Sequence, residues 1–240
     1  MPQNNDTYIR QIPLIGEAGQ AALDRATVFI AGAGGLGSPV AFYLASAGIG
    51  TIRIADMDAV DISNLNRQIL HAKNRIGENK AESAKKTIEA YNPSCTVETF
   101  TEKIDDTSVV RMIGNADLII DCLDNFETRY VLNRAALSLN KPLLHGAVAG
   151  YNGQLTLVIP GKTPCLSCIF PHAETASSPA VLGAPCGIIG SMQALEAIRA
   201  LTGNPTLAGK LLIYDGMANT LSTFDVKKSS RCPVCGEKTI

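Results

Sequence analysis

The chain has 240 residues, which is long enough for one large α/β domain with a sizeable hydrophobic core. Hydrophobic residues make up 46% and charged residues 18%, and the formal net charge of −1 comes without any block of basic residues. This balance gives no indication of a nucleic-acid-binding or membrane-binding surface. The apolar runs are short and broken by glycine, which excludes a transmembrane helix, and the N-terminus lacks the layout of a signal peptide.

The apolar pattern predicts alternating strands and helices over the first 150 residues. The predicted strands cover 27–32, 51–56, 95–100, 117–121 and 142–148. The predicted helices cover 17–25, 35–47, 79–93, 108–113 and 127–140. This alternation predicts an α/β fold with a Rossmann-like, doubly wound, mainly parallel sheet.

After Gly150 the pattern changes to segments that are more typical of antiparallel strands. These C-terminal strands are predicted at 153–160, 210–216 and 221–226, with a loop over 171–185 and a helix over 187–202. Since no repeat or linker interrupts the chain, we expect a single domain over 1–240. Within it we distinguish an N-terminal helical segment (1–26), a first half (27–150) and a second half (151–240).

A glycine-rich turn follows the first predicted strand. Gly32, Gly34 and Gly37 have the spacing GxGxxG, and Asp56 ends the next strand about twenty residues later. Such a turn presents backbone N–H groups and a helix N-terminus to a phosphate, and the acid accepts hydrogen bonds from ribose. The fingerprint predicts a nucleotide site without saying which nucleotide binds. The alternatives are a structural glycine turn and a strand-end role for Asp56.

Two cations follow the predicted ribose acid. Arg67, with the amides of Asn64 and Gln68 beside it, lies in "DISNLNRQ", and Lys80 lies in "GENKAESA". A triphosphate that transfers its α-phosphoryl group needs such cations, because they neutralise the equatorial oxygens and the departing pyrophosphate. Hydride transfer needs no such cluster. Alternatively, Arg67 bridges surface acids and Lys80 is an exposed residue at a helix start.

Polar side chains also follow the strand over 117–121. Asp124 and Asn125 come at the carboxyl edge of the predicted sheet, where ligands of doubly wound folds collect. A carboxylate there can hold Mg²⁺ against phosphate oxygens. Either residue could instead cap the next helix, and the two roles can coexist.

Four of the seven cysteines form two CxxC pairs, Cys165 with Cys168 and Cys232 with Cys235. Four thiolates suit a tetrahedral, structural Zn²⁺ site that ties the C-terminal tail to the middle of the chain. The alternatives are a redox CxxC and unpaired buried thiols. Without a secretion signal this pattern is typical of a reducing compartment, so we expect a cytoplasmic protein. Cys186 comes immediately before a predicted helix, whose dipole should lower its thiol pKa, which makes it a candidate reactive thiol.

With these pieces in place the sequence resembles the ThiF/MoeB/HesA family, relatives of the ubiquitin-activating enzymes. The resemblance covers nearly the whole chain, through "GAGGLG", "DISNLNRQ", "GENKAESA", "DCLDN", the paired CxxC motifs and "GSMQALEAI". It implies an adenylyltransferase that uses ATP and Mg²⁺ to adenylate the C-terminal glycine of a ubiquitin-like sulfur-carrier protein ending in Gly-Gly. Pyrophosphate is the second product, and the implied context is the biosynthesis of a sulfur-containing cofactor of the thiamine or molybdopterin type.

The resemblance also implies roles for individual residues. The nucleotide loop would be lined by Gly32, Gly34, Gly35 and Gly37, with Asp56 on the ribose. The phosphate contacts would be Asn64, Arg67, Gln68 and Lys80. Asp124 would serve Mg²⁺ and the reacting carboxylate, and Arg10 would act in trans on the ATP of the neighbouring subunit of a homodimer.

The sequence departs from sulfur-transferring relatives in one place. Those relatives carry a loop cysteine at a position that falls near Ala176, whereas this chain has no thiol there before Cys186. Either Cys186 takes that role, or the enzyme only adenylates and a separate protein donates sulfur, which we favour. Two alternative functions remain: adenylation of a small-molecule or peptide carboxylate, and an NAD-dependent oxidoreductase.

Overall fold

The computed structural model describes residues 5–173 and 180–236, and one eight-stranded sheet runs through them. The strands are β1 (Thr27–Ala31), β2 (Thr51–Ala55), β3 (Thr96–Phe100), β4 (Leu118–Asp121), β5 (Leu143–Ala149), β6 (Asn152–Val158), β7 (Lys210–Asp215) and β8 (Thr220–Asp225). Their order is β3-β2-β1-β4-β5-β6-β7-β8. The first five strands pair in parallel and the last three are antiparallel, which confirms both parts of the predicted sheet.

Seven α-helices accompany the sheet in the described part of the chain. They are α1 (Ile12–Arg25), α2 (Gly37–Ser46), α3 (Lys80–Tyr91), α4 (Val109–Ile113), α5 (Phe126–Ser138), α6 (Leu166–Ile169) and α7 (Gly183–Leu201). Short 3-10 helices lie at Asn5–Tyr8, Ile62–Asn64 and Lys73–Arg75.

Both faces of the parallel strands are covered by helices, and a hydrophobic core lies on each face. Along β1, Val28 and Ile30 belong to one core with α2, α3 and α7, whereas Phe29 and Ala31 belong to the other with α4 and α5. Successive side chains of a strand point to opposite faces, so a continuously apolar strand serves two cores. All five residues of β1 are buried, as this arrangement requires.

Two helix boundaries differ from the sequence prediction. Helix α1 begins at Ile12, so helical residues precede the predicted start at residue 17, and the non-helical Gly16 (φ 74°) separates them from the predicted helix over 17–25. Helix α7 begins at Gly183, so the prediction of a loop up to residue 185 was wrong. Pro185 falls in the first turn of α7, where its missing N–H leaves no hydrogen bond unmade.

The N-terminal segment is fastened to the C-terminal end of α2. Gln11 and Gln20 both donate to the Ala47 carbonyl, at 2.8 and 3.1 Å. Tyr8 is buried beside them against Gly48. Among the residues described, no helix is long and apolar enough to cross a lipid bilayer.

Candidate active site

A cavity opens at the carboxyl ends of β1, β2 and β4, where the order of the strands changes direction between β1 and β4. Ligands of doubly wound sheets bind at this topological switch point. The cavity has a volume of about 290 Å³. Its walls bring together residues from well-separated segments of the sequence, among them Gly32, Gly34, Gly35, Asp56, Arg67, Gln68, Lys80, Asp124 and Cys186.

The glycine turn forms one wall of the cavity, and the geometry around each position explains why it is a glycine. Gly32 has φ +96°, and a Cβ there would stand 2.8 Å from the Cys122 carbonyl oxygen. Gly34 faces Gln68, and Gly35 packs on Cys186. Gly37 does not line the cavity: a Cβ there would stand 2.0 Å from the Gly32 carbonyl oxygen, so this glycine lets α2 approach the turn. The structure therefore brings three of the four predicted glycines to the cavity wall.

Asp56 closes the turn from the end of β2. Its carboxylate accepts hydrogen bonds from the Ala33 N–H at 2.8 Å and the Asp58 N–H at 2.9 Å. Burial raises the pKa of the Asp56 carboxyl, while the Lys80 charge and these two N–H groups oppose the rise. The acid thus lies between the glycine turn and Lys80, in the position expected of a ribose acceptor.

Arg67 and Lys80 reach the same cavity from different segments. Lys80 is the first residue of α3, which begins there because the Asn79 side chain caps the helix through the N–H groups of Ala81 and Glu82. The Lys80 side chain is only 9% exposed, and its Nζ lies 2.9 Å from Asp58 Oδ2, so it is no exposed helix-start residue. The Arg67 guanidinium is held by the Ser63 carbonyl and the Asn66 side chain.

The two amides beside Arg67 behave differently. Gln68 is buried at the cavity wall, and its Oε1 has no hydrogen-bond partner among the described residues. Rotation of the side-chain amide by a half-turn exchanges its oxygen and nitrogen. Gln68 can therefore present either an acceptor or a donor to a ligand in the cavity. The Asn64 side chain instead accepts from the Asp61 N–H at 3.0 Å as part of a capping box, and it does not line the cavity.

The loop after β4 separates the capping role from the metal role. The Asn125 Oδ1 accepts from the Thr128 N–H at 2.9 Å and so caps α5. The adjacent Asp124 carboxylate is exposed at the cavity and accepts a hydrogen bond from the Asn125 amide at 3.3 Å. A carboxylate that is free of capping duty fits Mg²⁺, which is bound through one or two carboxylates plus phosphate oxygens.

A buried ion pair fixes the backbone immediately before Asp124. Asp121 Oδ1 accepts from the Leu123 N–H at 3.0 Å, and Arg129 Nη2 donates to the Leu123 carbonyl at 2.6 Å. Asp121 and Arg129 lie 3.5 Å apart, and His145 donates to Asp121 at 2.7 Å. The N–H and the carbonyl of Leu123 are therefore both hydrogen-bonded to charged side chains, and such charge-assisted hydrogen bonds are stronger than neutral ones.

Cys186 lies in the first turn of α7 and packs against the glycine turn. It is 1% exposed, and a Cβ on Gly35 would stand 3.0 Å from its Sγ. Burial raises the pKa of the Cys186 thiol, although the nearby Arg67 charge opposes this. The expected lowering of this pKa was wrong, because desolvation of the thiolate exceeds the favourable charge effects. The position near Ala176 lies outside the described residues.

Arg10 lies away from the cavity of its own chain. It is exposed and lies between Tyr8 and Gln11, both of which are anchored at the end of α2. Its side chain is therefore carried on a fastened backbone segment, and it does not line the cavity that the same chain forms.

The four paired cysteines come together as expected. The Sγ atoms of Cys165 and Cys232 are 3.6 Å apart, those of Cys168 and Cys235 are 3.4 Å apart, and all four lie within 4.8 Å of one another. Four sulfurs around a tetrahedral zinc ion at 2.3 Å would be about 3.8 Å apart, so the cluster fits that ion. Burial raises the pKa of the Cys165 thiol, whereas the pKa of Cys232 is lowered to about 7 because its burial is outweighed by hydrogen bonds from the backbone N–H groups of Cys235 and Val234 and from the neighbouring thiols.

Several cavity residues were not singled out from the sequence. Asp58 lies two residues after Asp56 and pairs with Lys80. Lys103 and Ile104 follow β3, and the half-buried Val148 lies near the end of β5. The rule that ligand-binding residues follow the carboxyl ends of parallel strands applies to β3 as much as to β2, and it would have indicated Lys103.

Comparison with known proteins agrees with this geometry. A sequence model described as the ThiF family matches residues 8–234. The chain belongs to the ThiF family. A relative from Dictyostelium discoideum named adenylyltransferase and sulfurtransferase MOCS3 is 44% identical over 99% of this chain, which spans 58% of that protein's length.

Two shorter members of the family match more of their own length. A sulfur carrier protein adenylyltransferase from Thermus thermophilus is 38% identical over 97% of this chain and 91% of that protein. A SAMP-activating enzyme E1 from Haloferax volcanii is 39% identical over 97% and 89%. Among solved structures, Escherichia coli MccB with a MccA peptide variant shares the fold, with a TM-score of 0.89 over 97% of this chain and 76% of that one, at 24% identity.

Proposed function

We propose that this protein adenylates the C-terminal glycine carboxylate of a ubiquitin-like sulfur-carrier protein, with ATP as substrate and pyrophosphate as product. The observation that carries the proposal is the convergence of Arg67, Lys80 and Asp124 on the cavity of the glycine turn. The names of the relatives from Thermus thermophilus and Haloferax volcanii support the same reaction class.

In this proposal the chain supplies position and charge. Gly34 and Gly35 leave backbone room for the phosphates, and Asp56 accepts from the ribose hydroxyls. Arg67 and Lys80 neutralise charge on the α-phosphoryl oxygens and on the departing pyrophosphate. The carrier's carboxylate is already ionised at neutral pH, so its oxygen attacks the α-phosphorus without a general base and the bond to pyrophosphate breaks.

Asp124 is the residue that we assign to Mg²⁺, which would offset the charge of the ATP phosphates. The four cysteines Cys165, Cys168, Cys232 and Cys235 are assigned to a structural Zn²⁺, which keeps no position open for chemistry. Both assignments rest on the donor sets described above.

The assembly is also part of the proposal. We assign Arg10 to the ATP of a neighbouring subunit, in a homodimer, because it is exposed next to an anchored segment and does not line the cavity of its own chain. We assign 27–150 to nucleotide binding and 151–240 to carrier binding. The buried, high-pKa Cys186 supports adenylation alone, with a separate sulfur donor, and the thiol-rich sequence supports a cytoplasmic setting.

The test is ATP–pyrophosphate exchange with a panel of small carrier proteins ending in Gly-Gly. We expect exchange that depends on the carrier's terminal glycine and is lost in Arg67→Ala and Lys80→Ala. Lys85→Ala, on the exposed side of the same helix α3, is the matched control and should exchange normally. Unchanged exchange in Arg67→Ala and Lys80→Ala would refute the proposed catalytic roles.

The same assay separates the alternatives. Exchange that is supported by a small carboxylic acid or a short peptide, and not by any carrier, would move the substrate to that class. Tight binding of NAD without binding of ATP in calorimetry would favour an oxidoreductase, a function that gives Arg67 and Lys80 no role.

A further inference from the structure

A buried histidine is hydrogen-bonded to two of the segments that line the cavity, the glycine turn and the helix that begins with Lys80. His71 is 7% exposed and follows the segment that carries Arg67 and Gln68. Its Nε2 lies 2.9 Å from the Ala33 carbonyl oxygen in the glycine turn. Its Nδ1 lies 3.0 Å from Ser83 Oγ, on the helix that begins with Lys80.

The direction of these hydrogen bonds follows from the chemistry of the groups. A carbonyl oxygen only accepts, so Nε2 of His71 carries the hydrogen and donates to Ala33. Arg75 Nη1 lies 3.2 Å from Ser83 Oγ, and because arginine only donates, the Ser83 hydroxyl accepts from it. The Ser83 hydrogen is then donated to Nδ1 of His71. Burial lowers the pKa of His71, which agrees with this neutral form.

The hydrogen bond to Ala33 has a specific consequence for the glycine turn. Ala33 lies between Gly32 and Gly34, and its N–H already donates to Asp56 at 2.8 Å. With its carbonyl held by His71, both polar groups of this residue are fixed. The flanking glycines have no side chains that could restrict the turn, so these two bonds set where the N–H of Gly34 points.

We propose that His71 is a positioning residue that aligns the glycine turn with the Lys80 helix for binding of the ATP phosphates. It touches neither substrate nor metal in this role. The proposal rests on the proposed function in taking ATP as the ligand, and it adds a residue for which the family's motifs and the cavity lining give no role.

Two substitutions divide the histidine's two contacts. His71→Gln places an amide N–H near the Nε2 position and keeps the bond to Ala33. His71→Asn places its amide near Nδ1, keeps the contact with Ser83 and loses the bond to Ala33. We expect the Kd for ATP to rise about tenfold in His71→Asn, in line with the loss of one buried hydrogen bond, and to stay within threefold of wild type in His71→Gln.

The assay is calorimetric ATP binding to the full chain, with thermal unfolding measured on the same samples. Ser83→Ala is a milder variant that should weaken ATP binding in the same direction. Ser46→Ala is its control, because within 5–173 and 180–236 that hydroxyl bonds only to the Phe42 carbonyl of its own helix. In exchange assays the KM for ATP should rise in His71→Asn while the KM for the carrier does not.

The outcomes are distinct from those that test the proposed function. Equal ATP affinity in wild type, His71→Asn and Ser83→Ala would overturn the positioning role, as would an equal loss in His71→Asn and His71→Gln. A wild-type chain that binds no ATP would overturn it as well. A wild-type chain that binds ATP but exchanges with no carrier would refute only the proposed function.

Discussion

Lys80→Met removes a buried ammonium group while keeping an unbranched apolar side chain, and we expect it to abolish most activity with little loss of stability. Two unit charges 4 Å apart interact by about 4 kcal/mol at an effective dielectric constant of about 20, which corresponds to roughly a thousandfold in rate. Removal of one charge-stabilising group from an active site typically costs about 10²–10³ in kcat. We therefore expect pyrophosphate exchange to fall by about 10²–10³.

The stability effect should be small because of the partner that Lys80 leaves behind. The Asp58 side chain is 59% exposed, so water solvates its carboxylate once Lys80 is gone. Such pairs contribute up to about 1 kcal/mol, which shifts the Tm of a chain of this size by about 2–4 °C. Lys85→Met on the same helix should change neither quantity. Exchange within threefold of wild type, or a much larger drop in Tm, would refute the reasoning.

Three further predictions concern the glycines and the cysteines. Gly37→Ala should destabilise the protein by about 1–3 kcal/mol in denaturant unfolding, because its Cβ would meet the Gly32 carbonyl. Gly187→Ala, in α7 with open space around the new Cβ, should instead stabilise it by about 0.5–1 kcal/mol. A reversed order of the two stabilities would contradict this. Elemental analysis should find one zinc ion per chain. Cys232→Ser should lose this ion and have a lower Tm, because metal binding contributes to folding stability. Metal-free wild-type protein, or a Cys232→Ser variant with an unchanged Tm, would argue against the site. At pH 8 iodoacetamide should label Cys186 more slowly in the folded than in the unfolded chain by mass spectrometry, because the raised pKa disfavours the thiolate; fast labelling would contradict the burial.

The fold could be predicted largely from the sequence, because apolar periodicity and turn residues act locally. The Asn92-Pro93 end of α3 and the Asn125 cap of α5 are decided by residues next to them. The start of α7 was missed because "GAPCG" looks like a loop, yet a proline is tolerated in a first helical turn. That choice depends on packing against the glycine turn, which the local sequence does not contain.

The site could be predicted in outline and less well in its details. Residues that the family motifs place together, such as Asp56 and Lys80, do converge. The pKa of Cys186 was predicted in the wrong direction because helix position suggests a dipole effect, whereas the actual burial depends on distant segments. His71 was passed over for the same reason: its partners Ala33 and Ser83 lie 38 and 12 residues away in the sequence.

Helix α2 has a consequence for the proposed dimer. Its first turn supports the glycine turn, and the carbonyl after its last turn receives Gln11 and Gln20 from the segment that carries Arg10. Ten residues of α-helix span about 15 Å, and a helix of this length is stiff. In a homodimer with Arg10 acting in trans, the length of α2 would set the distance between the nucleotide site of one subunit and the Arg10 that this subunit supplies to its partner. Loss of the hydrogen bond from Gln20 to Ala47 would then shift the Arg10 segment and so affect the nucleotide site of the partner subunit more than that of its own chain.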